Sequence, residues 1–422
     1  MINHKRCSFK SFALGSLILT AALLGCASED INGERVNLVA KISKSSGSDS
    51  IKLSRQINSY DWDGFGVFKS GENINFEFSQ RPVLYKRIKG THGQIIGSPI
   101  IIDQTLLFLT DLGVVVSIDL KSYKENWSVS VIPRSDNNEI VIGGGLAAAD
   151  GRIFVTTSFG ELISITIPNG VVDWRFRFPS PFIVAPTIFD QQLFTMSADG
   201  VVRAHSLAGI SKWQQKNVRS QHIPYQHGRP VGNSKRLFVP YPGGKLVALD
   251  SKSGLELWSY NYNSPRIGHA KSSLGKFIGT PTIVDEKIYL GSYSGQFSAV
   301  NVDGSLEWDA AIGARGSAVV IANSIFFISD LDALVHLNRT DGTEVWSKAV
   351  SDKKETVVFY GPIFAGDRLW VTGESRKLIA IDAQTGSIEI DIKLDLIPGG
   401  NPLYSDGKLI IYSNKGEFLF FE

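Results

Sequence analysis

The sequence predicts an all-β fold, an eight-bladed β-propeller built from four-stranded antiparallel blades. Tryptophans recur at intervals of 38 to 50 residues, a spacing typical of propeller blades. Each interval holds four short apolar runs separated by Asp, Asn and Gly, which favour tight turns. Short turns make successive strands antiparallel neighbours, and four such strands form one blade. The recurring tryptophans are Trp127, Trp174, Trp213, Trp258, Trp308 and Trp346.

One unit shows how the pattern predicts each strand of a blade. Its four runs are Thr280–Val284, Ile288–Leu290, Phe297–Val300 and Leu306–Trp308. The last run is the outermost strand, and it ends in the tryptophan. A large ring at this position can fill the wedge between adjacent sheets. We therefore assign the tryptophans to packing between blades rather than to catalysis.

The last two units depart from the pattern. The seventh runs from Gly361 to Ile390, and Ile390 stands where a tryptophan is expected. After it, residues 401–421 supply only three strands. The run 83–88 precedes the first full unit, and its Tyr85 stands at the tryptophan position. We therefore predict eight blades, the last closed by both chain ends, which leaves no open sheet edge at the closure.

The chain begins with the pattern of a bacterial secretion signal. Basic residues precede a 14-residue apolar stretch that ends in the run Leu23-Leu24-Gly25-Cys26. This run resembles a lipobox, which implies cleavage before Cys26 and lipidation of that cysteine. The alternative is a transmembrane anchor, but a spanning helix needs about 20 apolar residues. We predict a signal peptide over residues 1–25, a flexible lipidated tether over 26–60 and the propeller over 61–422.

Composition excludes several classes of function. The formal net charge of +2 gives no basis for nucleic-acid binding. Cys7 lies in the signal, so the mature chain has only Cys26. A disulfide, a thiolate metal site and a cysteine nucleophile are therefore excluded within it. No nucleophile or metal motif occurs around its His, Asp or Ser residues, and we expect no metal, no cofactor and no enzymatic activity.

The connections between predicted strands differ in length on the two faces of the ring. Connections from the outermost strand of one blade to the innermost strand of the next are long, and they share one face. Long loops on a rigid scaffold commonly carry binding sites, so we predict a single working face. The long connections are Pro133–Gly143, Gln215–Gly228, Tyr260–Gly279 and Ser351–Tyr360.

Two of these segments, 215–229 and 260–279, are rich in aromatic, Arg and His residues, which are enriched in protein interfaces. Solvated loops without a partner are the alternative. The histidines in these two segments also suggest a metal site, but their spacing in the sequence is not that of metal ligands. The residues in question include Arg219, His222, Tyr225, His227, Arg229, Arg266, His269, Lys271 and Lys276.

The unit Gly244–Asp250, followed by Gly254 and Trp258, resembles the repeat of pyrroloquinoline quinone enzymes. Two periplasmic families carry it, the quinoprotein dehydrogenases and the BamB family, lipoprotein subunits of the β-barrel assembly machinery. The second resemblance extends from the lipobox to Asp406–Ile410. A quinoprotein would need a calcium site and a catalytic Asp, and many have an adjacent-cysteine pair that this chain lacks.

Resemblance to the BamB family implies a non-catalytic scaffold at the outer membrane, facing the periplasm. It implies binding of the BamA-like, barrel-forming subunit and assistance in inserting outer-membrane proteins. Family contacts use the two connections described above, with acids in the second where this chain has residues 276–278. A PQQ-dependent dehydrogenase or a generic periplasmic scaffold is the alternative. The implied contact residues are Tyr225, Gln226, His227, Arg229, Lys276 and Phe277.

Overall fold

The protein is all-β, as predicted, and its strands form eight separate four-stranded antiparallel sheets arranged as a propeller. In the computed structural model, residues 77–90, 92–133, 140–216, 227–262, 277–293, 295–350 and 357–422 are described. Cys26 and the predicted boundary at residue 61 lie outside these ranges. Within them, no helix has the length and apolar character needed to cross a membrane.

Each of the first four blades is continuous in sequence, and its strands A to D run from the centre of the ring outward. Blade 1 comprises β2 (Ile95–Ile102), β3 (Thr105–Thr110), β4 (Val114–Asp119) and β5 (Lys124–Ser130). Blade 2 comprises β6 (Gly144–Ala149), β7 (Arg152–Thr157), β8 (Glu161–Thr166) and β9 (Val172–Arg177). Blade 3 comprises β10 (Thr187–Phe189), β11 (Gln192–Met196), β12 (Val201–Ser206) and β13 (Ser211–Lys216). Blade 4 comprises β14 (Val231–Gly232), β15 (Arg236–Tyr241), β16 (Lys245–Asp250) and β17 (Glu256–Asn261).

Blades 5 to 7 follow the same order, and blade 8 combines both chain ends. Blade 5 comprises β18 (Thr282–Val284), β19 (Lys287–Ser292), β20 (Gln296–Asn301) and β21 (Leu306–Ala310). Blade 6 comprises β22 (Val319–Ile321), β23 (Ser324–Ile328), β24 (Ala333–Asn338) and β25 (Glu344–Ala349). Blade 7 comprises β26 (Phe359–Ala365), β27 (Arg368–Gly373), β28 (Lys377–Asp382) and β29 (Ile388–Lys393). Blade 8 comprises β30 (Leu403–Ser405), β31 (Lys408–Tyr412), β32 (Phe418–Phe421) and β1 (Leu84–Ile88).

Tight turns set the antiparallel register of strands A and B. In blade 1 the two turn residues, Asp103 and Gln104, both have positive φ, at 47° and 61°. Two consecutive residues of this kind form the turn whose twist matches that of the flanking strands. The A–B and C–D turns lie on one face of the ring, the short-turn face. The B–C turns and the D–A connections lie on the other, the loop face.

Outer-strand tryptophans dock on the next blade, as predicted. The ring of Trp127 lies over Gly170, whose φ is +69°, and a Cβ added at this glycine would lie 2.7 Å from the ring. The Trp127 indole Nε1 donates a hydrogen bond to the Ile167 carbonyl at 2.6 Å. Gly254, Gly304, Gly342 and Gly386 receive Trp213, Trp258, Trp308 and Trp346 in the same way. Each of these indoles donates to a carbonyl of the receiving turn.

Ring closure explains the two units that lack this tryptophan. Blade 8 takes its C strand, β32, from the last strand of the chain and its D strand, β1, from the first. No C–D turn therefore joins them, and no turn is there to receive a ring. Ile390 of blade 7 instead packs against the core around β31 and β32. Tyr85 of β1 faces Tyr123 of blade 1, with ring centroids 6.2 Å apart. Tyr123 occupies the turn position that glycine holds in other blades, with φ of 58°.

The chain enters the ring on the short-turn face. Tyr404 donates its hydroxyl hydrogen to the Glu77 carbonyl at 2.5 Å. Phe78 is buried and contacts Trp370 edge-on, with centroids 5.2 Å apart. Its carbonyl lies beside Gly366, in the A–B turn of blade 7. The entering segment is therefore packed between blades 7 and 8.

Candidate functional site

The strand bounds agree with the predicted difference between the two faces. On the short-turn face, only two residues separate β2, ending at Ile102, from β3, beginning at Thr105. On the loop face, the connection between blades 3 and 4 runs from Lys216 to Val231, and the next from Asn261 to Thr282. These are the first and second connections below. The long connections between blades therefore belong to the loop face.

Backbone contacts join the ends of the first and second connections. The Gly228 N–H donates to the Phe277 carbonyl at 2.9 Å. The Arg229 N–H donates to the Thr280 hydroxyl at 3.3 Å. A Cβ added at Gly228 would lie 2.2 Å from the Gly279 carbonyl oxygen, so only glycine permits this approach. The ends of the two connections, where each returns to the ring, consequently lie side by side.

His227 and Arg229, two predicted contact residues, are buried at this junction, with 8% and 7% of their surfaces exposed. His227 Nδ1 lies 2.9 Å from the Gly228 carbonyl. Burial lowers the pKa of His227 to about 4, so the ring is neutral at pH 7. Arg229 Nη1 donates to the Pro186 carbonyl of blade 3 at 3.3 Å. Arg229 thus links blades 3 and 4.

Phe277, a third predicted contact residue, has no exposed surface. Its ring meets Tyr262 edge-on, with centroids 5.0 Å apart. Tyr262 is itself 3% exposed and meets Tyr260 edge-on at 5.1 Å. Phe277 also packs in the core between blades 4 and 5. The sequence did not single out Tyr262, although an aromatic pair flanking a long connection was a signal that could have done so.

The structure shows that three of the predicted contact residues are buried, and the contact role of the set stays a prediction. A side chain without exposed surface cannot contact a partner unless its surroundings move, so Phe277 is a support of the connection in this structure. His227 and Arg229 occupy similar supporting positions. Tyr225, Gln226 and Lys276 lie outside the described residues, so their contact role stays a prediction. Alanine at Phe277 or Arg229 would test folding rather than contact.

Three aspartates that recur at one position of the repeat, Asp119, Asp250 and Asp382, close turns. The Asp250 carboxylate accepts from the Ser253 N–H and hydroxyl, both at 2.7 Å. The Ser253 hydroxyl lowers the pKa of Asp250. Asp382 accepts from the Thr385 N–H and hydroxyl, also at 2.7 Å. Asp119 likewise accepts from Ser122. Across the described residues, no three His, Cys, Asp or Glu side chains form a metal-binding group.

Comparison with known proteins places the chain in a family. The family model described as "Outer membrane protein assembly factor BamB" matches residues 111–348 and 335–422. BamB of Shewanella oneidensis is 21% identical over 304 residues, covering 70% of this chain and 75% of that protein. BamB of Escherichia coli K12 is 20% identical over 326 residues, covering 75% of this chain and 82% of that protein.

Solved structures share the fold. BamB from Moraxella catarrhalis superposes with a TM-score of 0.69 at 17% identity, covering 81% of this chain and all of that one. Quinohemoprotein alcohol dehydrogenase from Comamonas testosteroni superposes with a TM-score of 0.65 at 13% identity, covering 90% of this chain and 82% of that one. The fold is thus common to assembly factors and enzymes, and the sequence match distinguishes them. The chain belongs to the family of the outer membrane protein assembly factor BamB.

Proposed function

We propose that this chain is a non-catalytic scaffold of the outer-membrane β-barrel assembly complex. It binds the barrel-forming, BamA-like subunit through its loop face and assists insertion of outer-membrane proteins. A lipid on Cys26 holds it to the outer membrane, facing the periplasm. Two acyl chains suffice for stable anchoring, since each buried CH₂ contributes about 0.8 kcal/mol.

The observation that carries this proposal is the shared base of the first and second connections. Hydrogen bonds from Gly228 to Phe277 and from Arg229 to Thr280 join the ends of the two connections. Within the connections, residues 217–226 and 263–276 contain Arg and Lys but no Asp or Glu. Adjacent basic connections suit a partner surface with complementary charge, since complementarity speeds encounter and selects partners.

A non-catalytic role is supported by what the recurrent aspartates do. Asp119, Asp250 and Asp382 are engaged by the hydroxyl and N–H of their own turns. A catalytic carboxylate would have to face a substrate rather than close a turn. The mature sequence also lacks the adjacent-cysteine pair of many quinoproteins. These features favour a scaffold over a dehydrogenase.

Co-purification from detergent-solubilised membranes tests the proposal. Tagged wild-type chain should retain the barrel-forming subunit. The variant Tyr225→Ala/Lys276→Glu should lose most of it, because truncating an interface hot spot costs about 2 kcal/mol or more. Both changes avoid the buried residues at the base, so folding should be preserved.

The matched control is a single charge reversal on the short-turn face. Lys252→Glu reverses one charge in the C–D turn of blade 4, on the same blade but the opposite face. It should retain the barrel-forming subunit as the wild type does. Retention by the Tyr225/Lys276 variant, together with loss by Lys252→Glu, would show that the wrong face had been assigned. Absence of the subunit from the wild-type eluate would remove the proposed function.

A further inference from the structure

We infer that Tyr262 and Phe277 are positioning residues for partner binding: their rings fix both ends of the second connection, and Phe277 fixes the first connection to it. This inference rests on the proposed function and specifies how the contact face is held. Neither ring can touch a partner directly, because Tyr262 is 3% exposed and Phe277 is fully buried. They act through the backbone that they hold in place.

The two aromatic rings form a clasp across the base of the connection. Tyr262 immediately precedes residues 263–276 and Phe277 immediately follows them. Their edge-on contact, with centroids 5.0 Å apart and planes at 85°, is a favourable arrangement for aromatic pairs. The Tyr262 N–H also donates to the Gly244 carbonyl of the B–C turn at 2.7 Å. Both ends of the connection are thus fixed to blade 4 and to each other.

A polar contact joins this clasp to blade 5. The Tyr260 ring meets Tyr262 edge-on. The Tyr260 hydroxyl accepts a hydrogen bond from Gln296 Nε2 at 3.2 Å. The same amide nitrogen lies 3.4 Å from an Asp309 carboxylate oxygen. Gln296 and Asp309 belong to the C and D strands of blade 5. The clasp therefore spans the seam between the blades that carry the second connection.

The connection between blades 2 and 3 contains the same device in a short form. Phe178 and Phe182 meet edge-on with centroids 5.6 Å apart, and Phe182 is fully buried. The Phe178 N–H donates to the Gly160 carbonyl of its B–C turn, as that of Tyr262 does to Gly244. Only residues 179–181 separate these two rings, whereas residues 263–276 separate the other pair. The second connection is thus longer than the one between blades 2 and 3, but its two ends carry the same kind of ring pair.

The Tyr262–Phe277 clasp differs from the Phe178–Phe182 pair in its link to the first connection. The Phe277 carbonyl accepts from the Gly228 N–H, at the end of the first connection. A shift of Phe277 would therefore displace the ends of both connections together. Because these ends are held before a partner arrives, less conformational entropy is lost on binding.

The test compares Phe277→Leu with the matched control Phe182→Leu. Each change removes a fully buried phenylalanine ring from an edge-on pair, so both should lower the melting temperature by a similar amount. Only Phe277→Leu should weaken binding of the mature chain to the purified periplasmic region of the barrel-forming subunit. We expect the Kd to rise by about tenfold, equivalent to about 1.4 kcal/mol, and to stay within about twofold for Phe182→Leu.

Two further measurements separate positioning from stability. Tyr262→Phe keeps the ring pair and should bind as the wild type does. Amide hydrogen exchange at Gly228 should accelerate in Phe277→Leu and remain slow in Phe182→Leu. Equal loss of affinity in the two leucine variants, or unchanged Gly228 exchange in Phe277→Leu, would overturn the inference while leaving the proposed function intact. Failure of the wild type to bind would overturn both.

Discussion

Docking of the outer-strand tryptophans on the neighbouring blade can be tested with Gly170→Ala. The left-handed φ of +69° already disfavours any side chain there. The added Cβ would also lie 2.7 Å from the Trp127 ring. That ring must move, which would break its hydrogen bond to the Ile167 carbonyl. The substitution therefore combines backbone strain, overpacking and a lost hydrogen bond.

Gly151 provides a matched control within the same blade. It has the same φ of +69°, but a Cβ added there meets nothing within 4 Å. Gly151→Ala should therefore cost only the left-handed backbone, about 1–2 kcal/mol. Gly170→Ala should cost about 2–4 kcal/mol more, since overpacking adds about 1–3 kcal/mol and a lost hydrogen bond about 1 kcal/mol.

Denaturant unfolding of both variants measures the difference. The free energy of unfolding should fall further for Gly170→Ala, with an unchanged denaturant m-value. Near-ultraviolet circular dichroism should change only in that variant, because only there is an indole displaced. If the losses of unfolding free energy in the two alanine variants agree within about 0.5 kcal/mol, their difference is no larger than the usual effect of a surface substitution. Docking of Trp127 would then not hold the blades together.

Three further predictions concern pH, the entering segment and the anchor. Burial lowers the pKa values of His205 and His336 to about 4, below their ordinary 6.5. The unfolded chain therefore binds more protons than the folded chain between pH 4 and 6.5. The free energy of unfolding should fall as the pH falls across that window, by about 2 kcal/mol per histidine at pH 5. His336→Phe should flatten this slope in urea titrations, and an unchanged slope would show that His336 does not contribute. Phe78→Ala should lower the free energy of unfolding by about 3 kcal/mol, because it removes a buried ring from the Trp370 contact; an effect under about 1 kcal/mol would show that the entering segment is not held there. Cys26→Ser should release the protein from the membrane pellet as uncleaved or soluble material. If the Cys26→Ser protein is still acylated and still sediments with membranes, lipidation at this residue is contradicted.

Repetition made the blades predictable from sequence. Turn residues and apolar runs recur in every unit, and five outer-strand tryptophans, Trp127, Trp213, Trp258, Trp308 and Trp346, make the same contact with the next blade. The two exceptions were also informative, because Ile390 and Tyr85 mark the place where the ring closes. Their physical reason is visible only in three dimensions: blade 8 has no C–D turn to receive a ring, and Tyr123 replaces the turn glycine in blade 1.

Burial at the candidate site was not predictable in the same way. His227, Arg229 and Phe277 stand in segments whose composition resembles an interface, and such segments normally extend into solvent. Their neighbours in space, however, are distant in the sequence, Pro186 for Arg229 and Tyr262 for Phe277. A periodic pattern reports which face of a strand is buried, but it carries no information about where a connection returns to the ring.

Site-specific photocrosslinking in intact cells tests most directly whether the loop face is the working face. A photoreactive residue would replace Tyr225 or Lys276 on the loop face, and Ser234 or Lys252 in the turns of blade 4 on the opposite face. We expect adducts with the barrel-forming subunit from Tyr225 and Lys276 and none from the other two positions. Adducts from Ser234 or Lys252 alone would contradict the assignment of the loop face.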